Sequence, residues 1–312
     1  GRYGAFLMEE DVDIVCNIIQ NLKKNLPTNV GVSCKMRIPQ DVGLPRGDAV
    51  LKERICKLID AGVDLLTIHG RTLKENKTKV KECNWDAISQ VVKIAREYSN
   101  IADFPVIANG GIEFSSDVER CLKYTGASAV MSSEALLENP GIFAKNAKDD
   151  GDLSPKEMFQ RQMKYCRDYV DLSVVYPPIP GSLGKEGGAF NCMRSHIFKF
   201  IYRYLMEHPD LRDRLAHNTE TITIQHARDI LDELEQRYNS INDDEWERLS
   251  SFNAIKSSWY RRHRDAKLNS KMRTRGQKVK SELSDLSLAD KKELLRERIK
   301  KMKEKRGSTI VV

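Results

Sequence analysis

Residues 65–71, Leu-Leu-Thr-Ile-His-Gly-Arg, begin as an apolar run and end in a histidine, a glycine and an arginine. A short apolar run of this kind predicts a strand that is buried on both faces. Three other runs have the same form, and segments with helical periodicity separate them. The predicted strands are residues 30–37, 65–71, 105–111 and 129–134, and the predicted helices are residues 10–25, 48–61, 85–98 and 115–125. Strands that alternate with helices predict βα units and a parallel sheet.

Polar residues follow each predicted strand at its carboxyl end. They are Lys35 and Arg37, His69 and Arg71, Asn109 with Gly110 and Gly111, and Ser132, Ser133 and Glu134. This placement is typical of a (β/α)₈ barrel, whose active site lies at the carboxyl ends of the strands. An open Rossmann-type sheet is the alternative, but it usually has a G-x-G-x-x-G turn, which this sequence lacks. Because only four strands are visible, we predict an α/β fold that forms the carboxyl-terminal half of a TIM (β/α)₈ barrel.

From Ser154 onward the pattern becomes helical, and it opens with Ser154, Pro155 and Glu157 in the arrangement of a capping box. Further helices are predicted around residues 193–205 and 221–238, with a loop at 177–188 and a basic helix at 287–306. We therefore predict three parts: a partial barrel at 1–150, a helical domain at 151–240, and a basic helical or disordered tail at 241–312.

The charge of the chain is unevenly distributed. Of the net +7 over 312 residues, residues 253–312 contribute 19 Lys and Arg against 7 Asp and Glu, a net of +12, which leaves −5 for the rest. A basic tail on a slightly acidic body predicts a polyanionic partner such as nucleic acid, and a solvated tail without a specific partner is the alternative.

Seven cysteines lie singly along the chain, with no C-x-x-C pair. This argues against a metal site or a disulfide framework and favours reduced thiols inside the cell. The sequence has no apolar run of the roughly 18 residues that a membrane span needs and no signal segment. We expect a cytoplasmic protein, with a nuclear location as an alternative, and no obligate protein partner.

Three groups of residues are candidates for chemistry. His69 and Arg71, joined by glycine, suit a phosphate or a flat anionic ring, although they could instead satisfy backbone groups and a carboxylate. Lys35 and Arg37 should point to one side of their strand, where the lysine could stabilise a reduced flavin or close an ion pair. Asn109 and the glycine pair that follows it, with Ser132 and Ser133, suit a phosphate cradle, although any tight turn can use glycines.

The cysteines are interpreted as structural. Cys83 lies in a polar segment and is expected to be the one exposed candidate for an acid, whereas Cys34 should point away from Lys35.

Taken together, these motifs resemble those of the tRNA-dihydrouridine synthases, particularly the eukaryotic type. The matching runs are residues 1–7, 34–37, 67–72, 106–112, 117–122, 130–134, 139–143 and 193–199, so that the resemblance covers most of residues 1–238. It implies an FMN-binding barrel and a helical tRNA-binding domain, with NADPH as the reductant and reduction of uridine to 5,6-dihydrouridine in tRNA.

The resemblance also assigns roles to residues. It implies flavin contacts for Lys35 and His69 and, around the flavin phosphate, Asn109, Gly110, Gly111, Ser133 and Glu134. Arg71 would lie near the substrate and Arg37 would support the site, while Arg194, His196 and Lys199 would face tRNA. No metal is implied.

The sequence departs from the family pattern in one respect. The family's acid cysteine lies in a Cys-Pro motif shortly before the run that here occupies residues 1–7, so we expect this cysteine upstream of Gly1 and expect the chain as given to be inactive. Another FMN-barrel oxidoreductase and a non-catalytic tRNA-binding module remain as alternatives. The modified uridine and the oligomeric state do not follow from the sequence.

Overall fold

A computed structural model describes residues 4–76, 79–177, 188–216, 224–250 and 258–260. All of these belong to one unit of the chain, Gly1–His263, whereas the second unit, Arg264–Val312, lies outside the described residues. The predicted basic helix at 287–306 and most of the predicted loop at 177–188 also lie outside them.

Four parallel strands form a single sheet in the order β1-β2-β3-β4. The strands are β1 (Ser33–Arg37), β2 (Leu65–His69), β3 (Val106–Asn109) and β4 (Ala129–Met131). The helices that alternate with them are α1 (Ala5–Glu10), α2 (Val12–Asn25), α3 (Pro45–Asp60), α4 (Trp85–Ser99), α5 (Ser116–Thr125) and α6 (Glu134–Glu138). The predicted α/β fold with a parallel sheet is thus confirmed, and the first three strands end at the polar residues Arg37, His69 and Asn109.

Local signals explain several helix boundaries. The predicted helix at 10–25 is α2, which begins two residues later than predicted, after Asp11. The side chain of Asp11 accepts a hydrogen bond from Ile14 N at 3.2 Å and so caps α2, while Glu10 is the last residue of α1. Asn84 caps α4 in the same way, accepting from Ala87 N at 2.9 Å. Gly126 is the left-handed C-cap of α5.

The helices cover one face of the sheet. Met36, Ile68 and Ala108 point to that face and are almost completely buried in a core shared with α3 and α4. Side chains alternate along a strand, so the neighbours of these residues point to the opposite face. That second face carries Lys35, Arg37, His69 and Asn109.

A second core lies in the helices that follow. These are α7 (Pro155–Val175), α8 (Gly188–Phe200), α9 (Tyr202–Glu207), α10 (Pro209–Ala216), α11 (Ile224–Asn239) and α12 (Asp243–Ser250). The capping box of Ser154 and Glu157 is present at the start of α7. Trp246 of α12, within the range predicted as tail, is buried in this core beside Phe159 and Tyr238.

The two cores meet at Gln162 of α7. Its Nε2 donates to the carbonyl oxygens of Glu138 and Phe200, each at 2.9 Å, and so links the end of α6 to the end of α8. None of the helices in the described ranges combines the length and the apolar character needed to cross a membrane.

Candidate cofactor site at the carboxyl ends of the strands

The register of the sheet aligns the polar residues in one row. Arg37 pairs with His69, His69 with Asn109, and Asn109 with Met131, so these residues lie side by side at the carboxyl edge. Lys35 lies two residues before Arg37 and therefore points to the same face. The structure thus brings together four of the residues that the sequence singled out.

The two cations of β1 have different surroundings. Lys35 is exposed and, among the described residues, forms no ion pair with a carboxylate. Arg37 is half-buried, and its Nη1 donates to the carbonyl oxygens of Thr72 at 2.9 Å and Glu75 at 3.5 Å. Arg37 therefore holds the loop after β2, while the ammonium group of Lys35 stays available to a ligand.

His69 is held as a neutral imidazole. Burial, and then the charges of Arg37, Arg71 and Lys35, lower its pKa from 6.5 to about 3. Arg71 Nη1 lies 3.3 Å from His69 Nε2. Since a guanidinium can only donate, Nε2 accepts and the proton of the ring lies on Nδ1.

Arg71 is itself almost fully buried, at 6% exposure. Its Nε donates to Lys81 O at 2.7 Å, which ties it to the segment before α4. The resemblance had placed Arg71 near the substrate. In this structure Arg71 contacts His69 and the backbone, and so orients the imidazole.

A left-handed glycine turn follows β3. Gly110 and Gly111 have φ of +99° and +77°, a conformation that side chains other than glycine rarely adopt. A Cβ on Gly111 would lie 2.9 Å from Trp85 Nε1, and one on Gly110 would lie 3.0 Å from both Cys83 Sγ and His69 Cδ2. The glycines are therefore required by close packing within the protein, in addition to any ligand.

Trp85 and Cys83 support this turn through hydrogen bonds to the backbone of residues 109 and 110. Trp85 Nε1 donates to Gly110 O at 3.1 Å, and Arg120 stacks on the indole with its guanidinium carbon 5.5 Å from the ring centroid. Cys83 Sγ donates to Asn109 O at 3.5 Å. Asn109 is buried, and its Nδ2 donates to Met131 O at 3.0 Å, joining β3 to β4.

The expectation that Cys83 is exposed was wrong. The side chain is 9% exposed, and burial raises the pKa of its thiol to about 12. The surrounding sequence is polar, but the chain folds it under the carboxyl ends of β2 and β3. Trp85 was not among the predicted site residues, because its only signal in the sequence is an aromatic residue at the first position of a helix after a polar loop.

Three polar residues follow β4, next to the glycine turn. Ser132 Oγ donates to Ile112 O at 3.0 Å, which fastens the end of β4 to the chain after β3. Ser133 is the N-cap residue of α6, and its side chain makes no capping hydrogen bond. Glu134 is the first residue of that helix.

The residues predicted to face tRNA lie on α8, but they have separate environments. Arg194 Nη1 donates to Ala216 O at 3.2 Å, at the end of α10, and Lys199 Nζ donates to Ser195 Oγ at 3.0 Å. The ring of His196 packs against Tyr169 with centroids 5.2 Å apart. The contact between Lys199 and Ser195 joins neighbouring turns of α8.

Comparison with known proteins agrees with this geometry. A family model described as dihydrouridine synthase (Dus) matches residues 1–236. The tRNA-dihydrouridine(16/17) synthase (NAD(P)(+)) of Saccharomyces cerevisiae is 35% identical over 218 residues, which cover 69% of this chain and 45% of that protein. The corresponding "-like" protein of Rattus norvegicus is 32% identical over 69% of this chain and 41% of its own length.

A second group of relatives is named for different positions in tRNA, 20a and 20b. The tRNA-dihydrouridine(20a/20b) synthase (NAD(P)+) of Saccharomyces cerevisiae is 38% identical over 135 residues, or 42% of this chain and 33% of that protein. The chain thus spans less than half of the length of these curated relatives. Since the family model covers far more than half of the chain, this chain belongs to the dihydrouridine synthase family.

Proposed function

We propose that the protein containing this chain reduces uridine to 5,6-dihydrouridine in tRNA, with FMN as its flavin and NADPH as the reductant. The observation that carries the proposal is the row of Arg37, His69 and Asn109, with Lys35 on the same face and a glycine turn at its end. The names of the relatives support the substrate and the reaction.

The proposed architecture is the carboxyl-terminal half of a TIM barrel. Consecutive strands are neighbours in the sheet, and the helices cover one face, as in a barrel wall. Ile14, Ile18 and Leu22 form an apolar stripe on α2 and are 45%, 48% and 42% exposed. Such a stripe is suited to packing against a neighbouring βα unit.

The residues at the carboxyl edge fit FMN. A phosphate is commonly held by backbone N–H groups that no side chain obstructs, and the Gly110–Gly111 turn after β3 offers a backbone without side chains. We assign the phosphate to this turn, with Asn109, Ser133 and Glu134 around it. When bound, the flavin would carry a hydride from NADPH to C6 of the uridine.

The other residues of the row would contact the ring. With the flavin bound, the ammonium group of Lys35 would stabilise the negative charge of its reduced form. His69 presents its Nδ1–H as a neutral donor, because Arg71 occupies Nε2. Arg37 holds the loop after β2 in place.

A proton must also reach C5 of the uridine. None of the six cysteines that the structure describes is assigned this role, since Cys34 lies on the opposite face from Lys35 and Cys83 is buried under the turn. Following the family pattern, we propose that the donor is a cysteine in a Cys-Pro motif before the run at residues 1–7.

The helical domain is proposed to bind tRNA through Arg194, His196 and Lys199 of α8. A uridine stacked in an RNA helix cannot reach the carboxyl edge of a sheet, so the target base must be turned out of its stack. We propose that the protein acts on tRNA in the cytoplasm, with the nucleus as the alternative location.

The proposal is tested by incubating an unmodified tRNA transcript with the full-length protein, FMN and NADPH. Mass spectrometry of the digested RNA should detect dihydrouridine and locate it at positions 16/17 or 20a/20b. Tight tRNA binding without dihydrouridine would instead identify a non-catalytic tRNA-binding module. Flavin reduction by NADPH without affinity for tRNA would identify another FMN-barrel oxidoreductase.

A further inference from the structure

The two peptide groups of the glycine turn are held by their carbonyl oxygens. Asn109 O accepts a hydrogen bond from Cys83 Sγ at 3.5 Å, and Gly110 O accepts one from Trp85 Nε1 at 3.1 Å. None of the peptide bonds in the described ranges is cis. In a planar trans peptide group the N–H points opposite to the C=O. The two hydrogen bonds therefore also fix the directions of the N–H groups of Gly110 and Gly111.

These two N–H groups point away from residues 83–85. Within the part of the chain that the structure describes, neither of them donates a hydrogen bond. A half-buried N–H group without a partner is unfavourable unless water or a ligand accepts from it. The turn therefore presents donors to whatever occupies the carboxyl edge of the sheet.

The indole of Trp85 is itself held in place. The guanidinium carbon of Arg120 lies 5.5 Å from its ring centroid, and the ring of Tyr124 lies 5.9 Å away, tilted by 56°. The hydroxyl of Tyr124 donates to the carboxylate of Asp86 at 2.5 Å, next to Trp85 in the chain. A guanidinium over the face of an indole is attracted by the electrons of the ring. Residues of α5 therefore fix the ring at the start of α4.

Asp117 connects Arg120 to the chain that leaves the turn. Its carboxylate, in a residue that is 1% exposed, forms an ion pair with Arg120. The same carboxylate accepts hydrogen bonds from Glu113 N at 2.9 Å and from Phe114 N at 3.0 Å. The backbone is thus held at the turn by Trp85 and after it by Asp117. We call Trp85, Arg120 and Asp117 the turn support.

We propose that Trp85 is a positioning residue for the phosphate of FMN, because its indole N–H sets the direction in which the Gly111 N–H donates. This inference rests on the proposed function for the identity of the ligand. Trp85 would act through the backbone without touching the phosphate, and Arg120 would act through Trp85. A donor that is oriented before the ligand arrives adds affinity, since less order has to be created on binding.

Loss of the indole N–H should affect FMN and spare riboflavin, which has the same ring system and no phosphate. We expect Trp85→Phe to weaken FMN binding about five- to twentyfold, because hydrogen bonds to charged groups are the stronger ones. The affinity for riboflavin should change by less than about twofold, because its ring is assigned to Lys35 and His69, away from the turn support.

The test measures the affinity of the full-length protein for FMN and for riboflavin by quenching of flavin fluorescence, without tRNA or NADPH. Trp246→Phe is the matched control, because it removes an indole from the core of the helical domain. This control should leave the ratio of FMN affinity to riboflavin affinity unchanged, even where it lowers stability. An unchanged ratio in Trp85→Phe, whether or not both affinities fall, would overturn the proposal.

A tryptophan analogue separates the hydrogen bond from the packing of the ring. In 3-benzothienylalanine a sulfur atom replaces the indole N–H, so that at position 85 it keeps the two fused rings beside Arg120 and removes the donor. The affinity ratio should fall as it does in Trp85→Phe. A wild-type ratio with this analogue would show that the N–H does not position the turn, and would refute the proposal.

Arg120→Gln tests whether Arg120 acts through Trp85. It should lower the affinity ratio about two- to fivefold in the wild-type background and have almost no further effect in Trp85→Phe, since the two residues form one support. An equal loss in both backgrounds would mean that Arg120 contacts the phosphate directly, and would contradict its place in the turn support.

Failure of this inference differs from failure of the proposed function. If the wild-type protein binds FMN and riboflavin equally, the phosphate assignment and the role of Trp85 are both refuted. If the wild type prefers FMN and Trp85→Phe keeps that preference, only the role of Trp85 is refuted, and the cofactor site stands.

Discussion

Replacing Gly111 by alanine tests whether the glycine turn is required by packing inside the protein. At φ +77° an alanine costs about 1 to 2 kcal/mol in backbone strain. Its Cβ would lie 2.9 Å from Trp85 Nε1 and 3.1 Å from Cys83 Cβ, which adds about 1 to 3 kcal/mol of overpacking. We expect Gly111→Ala to lower the free energy of unfolding by about 2 to 5 kcal/mol, the sum of these two terms.

Gly43 provides a matched control. Its φ is +91°, but a Cβ there would meet no atom within 4 Å, so Gly43→Ala carries the backbone cost without the clash. Restriction of the unfolded chain by alanine is the same in both variants and cancels in the difference. Gly111→Ala should therefore be about 1 to 3 kcal/mol more destabilising than Gly43→Ala.

The measurement is urea unfolding of the two variants and the wild type, followed by circular dichroism. Trp85→Phe removes the Nε1 atom that the new Cβ would meet, so adding it should reduce the extra cost of Gly111→Ala. If Gly111→Ala is no more costly than Gly43→Ala, the reasoning about packing under the turn is refuted.

Three further outcomes are expected. His69 has a folded-state pKa of about 3, below the 6.5 of the unfolded chain, so its contribution to stability is present above pH 6.5 and is lost as the pH falls toward 3. As the pH falls from 7 to 5, the free energy of unfolding of the wild type should decrease relative to that of His69→Gln by about 1 to 2 kcal/mol, a value reduced for the partly exposed ring. If urea unfolding gives the same difference at both pH values, the imidazole is not held neutral. Cys83 should resist iodoacetamide in the native protein and react after unfolding, because its thiol is buried and has a pKa of about 12. Half-buried Cys56 is the internal comparison, and equal labelling of the two cysteines in the native protein, measured by mass spectrometry, would argue against the burial of Cys83. Ser154→Ala should lower the free energy of unfolding by about 1 kcal/mol in thermal unfolding, because the side chain of Ser154 caps α7. Replacing the exposed Lys156 in the same turn by alanine should have little effect.

Periodicity predicted the sheet well because its signal is local. The apolar runs before Arg37, His69 and Asn109 form parallel strands, and the alternation of side chains along a strand put Lys35 and Arg37 on one face. Once consecutive strands pair in register, the polar residues at their ends must lie in a row. The composition of the site therefore follows from pattern alone.

The contacts beneath the site could not be predicted in this way. Cys83 is in a polar segment, yet it is buried because the chain after β2 folds back under the carboxyl edge, and no local pattern encodes that path. The same segment supplies a partner of Arg71, because the carbonyl oxygen of Lys81 accepts a hydrogen bond from Arg71 Nε.

Short helices and long-range pairs were missed for similar reasons. Helix α10 has eight residues and α6 has five, which is too short for a clear helical period. The pairing of Ser258 with Glu138 joins residues 120 positions apart and appears only in three dimensions.

The central claim is that the carboxyl edge of the sheet holds the flavin, with the phosphate at the glycine turn and the ring at Lys35. The most direct measurement is the affinity of the full-length protein for FMN and for riboflavin, from quenching of flavin fluorescence. We predict that FMN binds more tightly than riboflavin and that Lys35→Met weakens both ligands equally, whereas Lys52→Met, at an exposed position of α3, changes neither. Equal affinity for FMN and riboflavin, or unchanged binding in Lys35→Met, would contradict the claim.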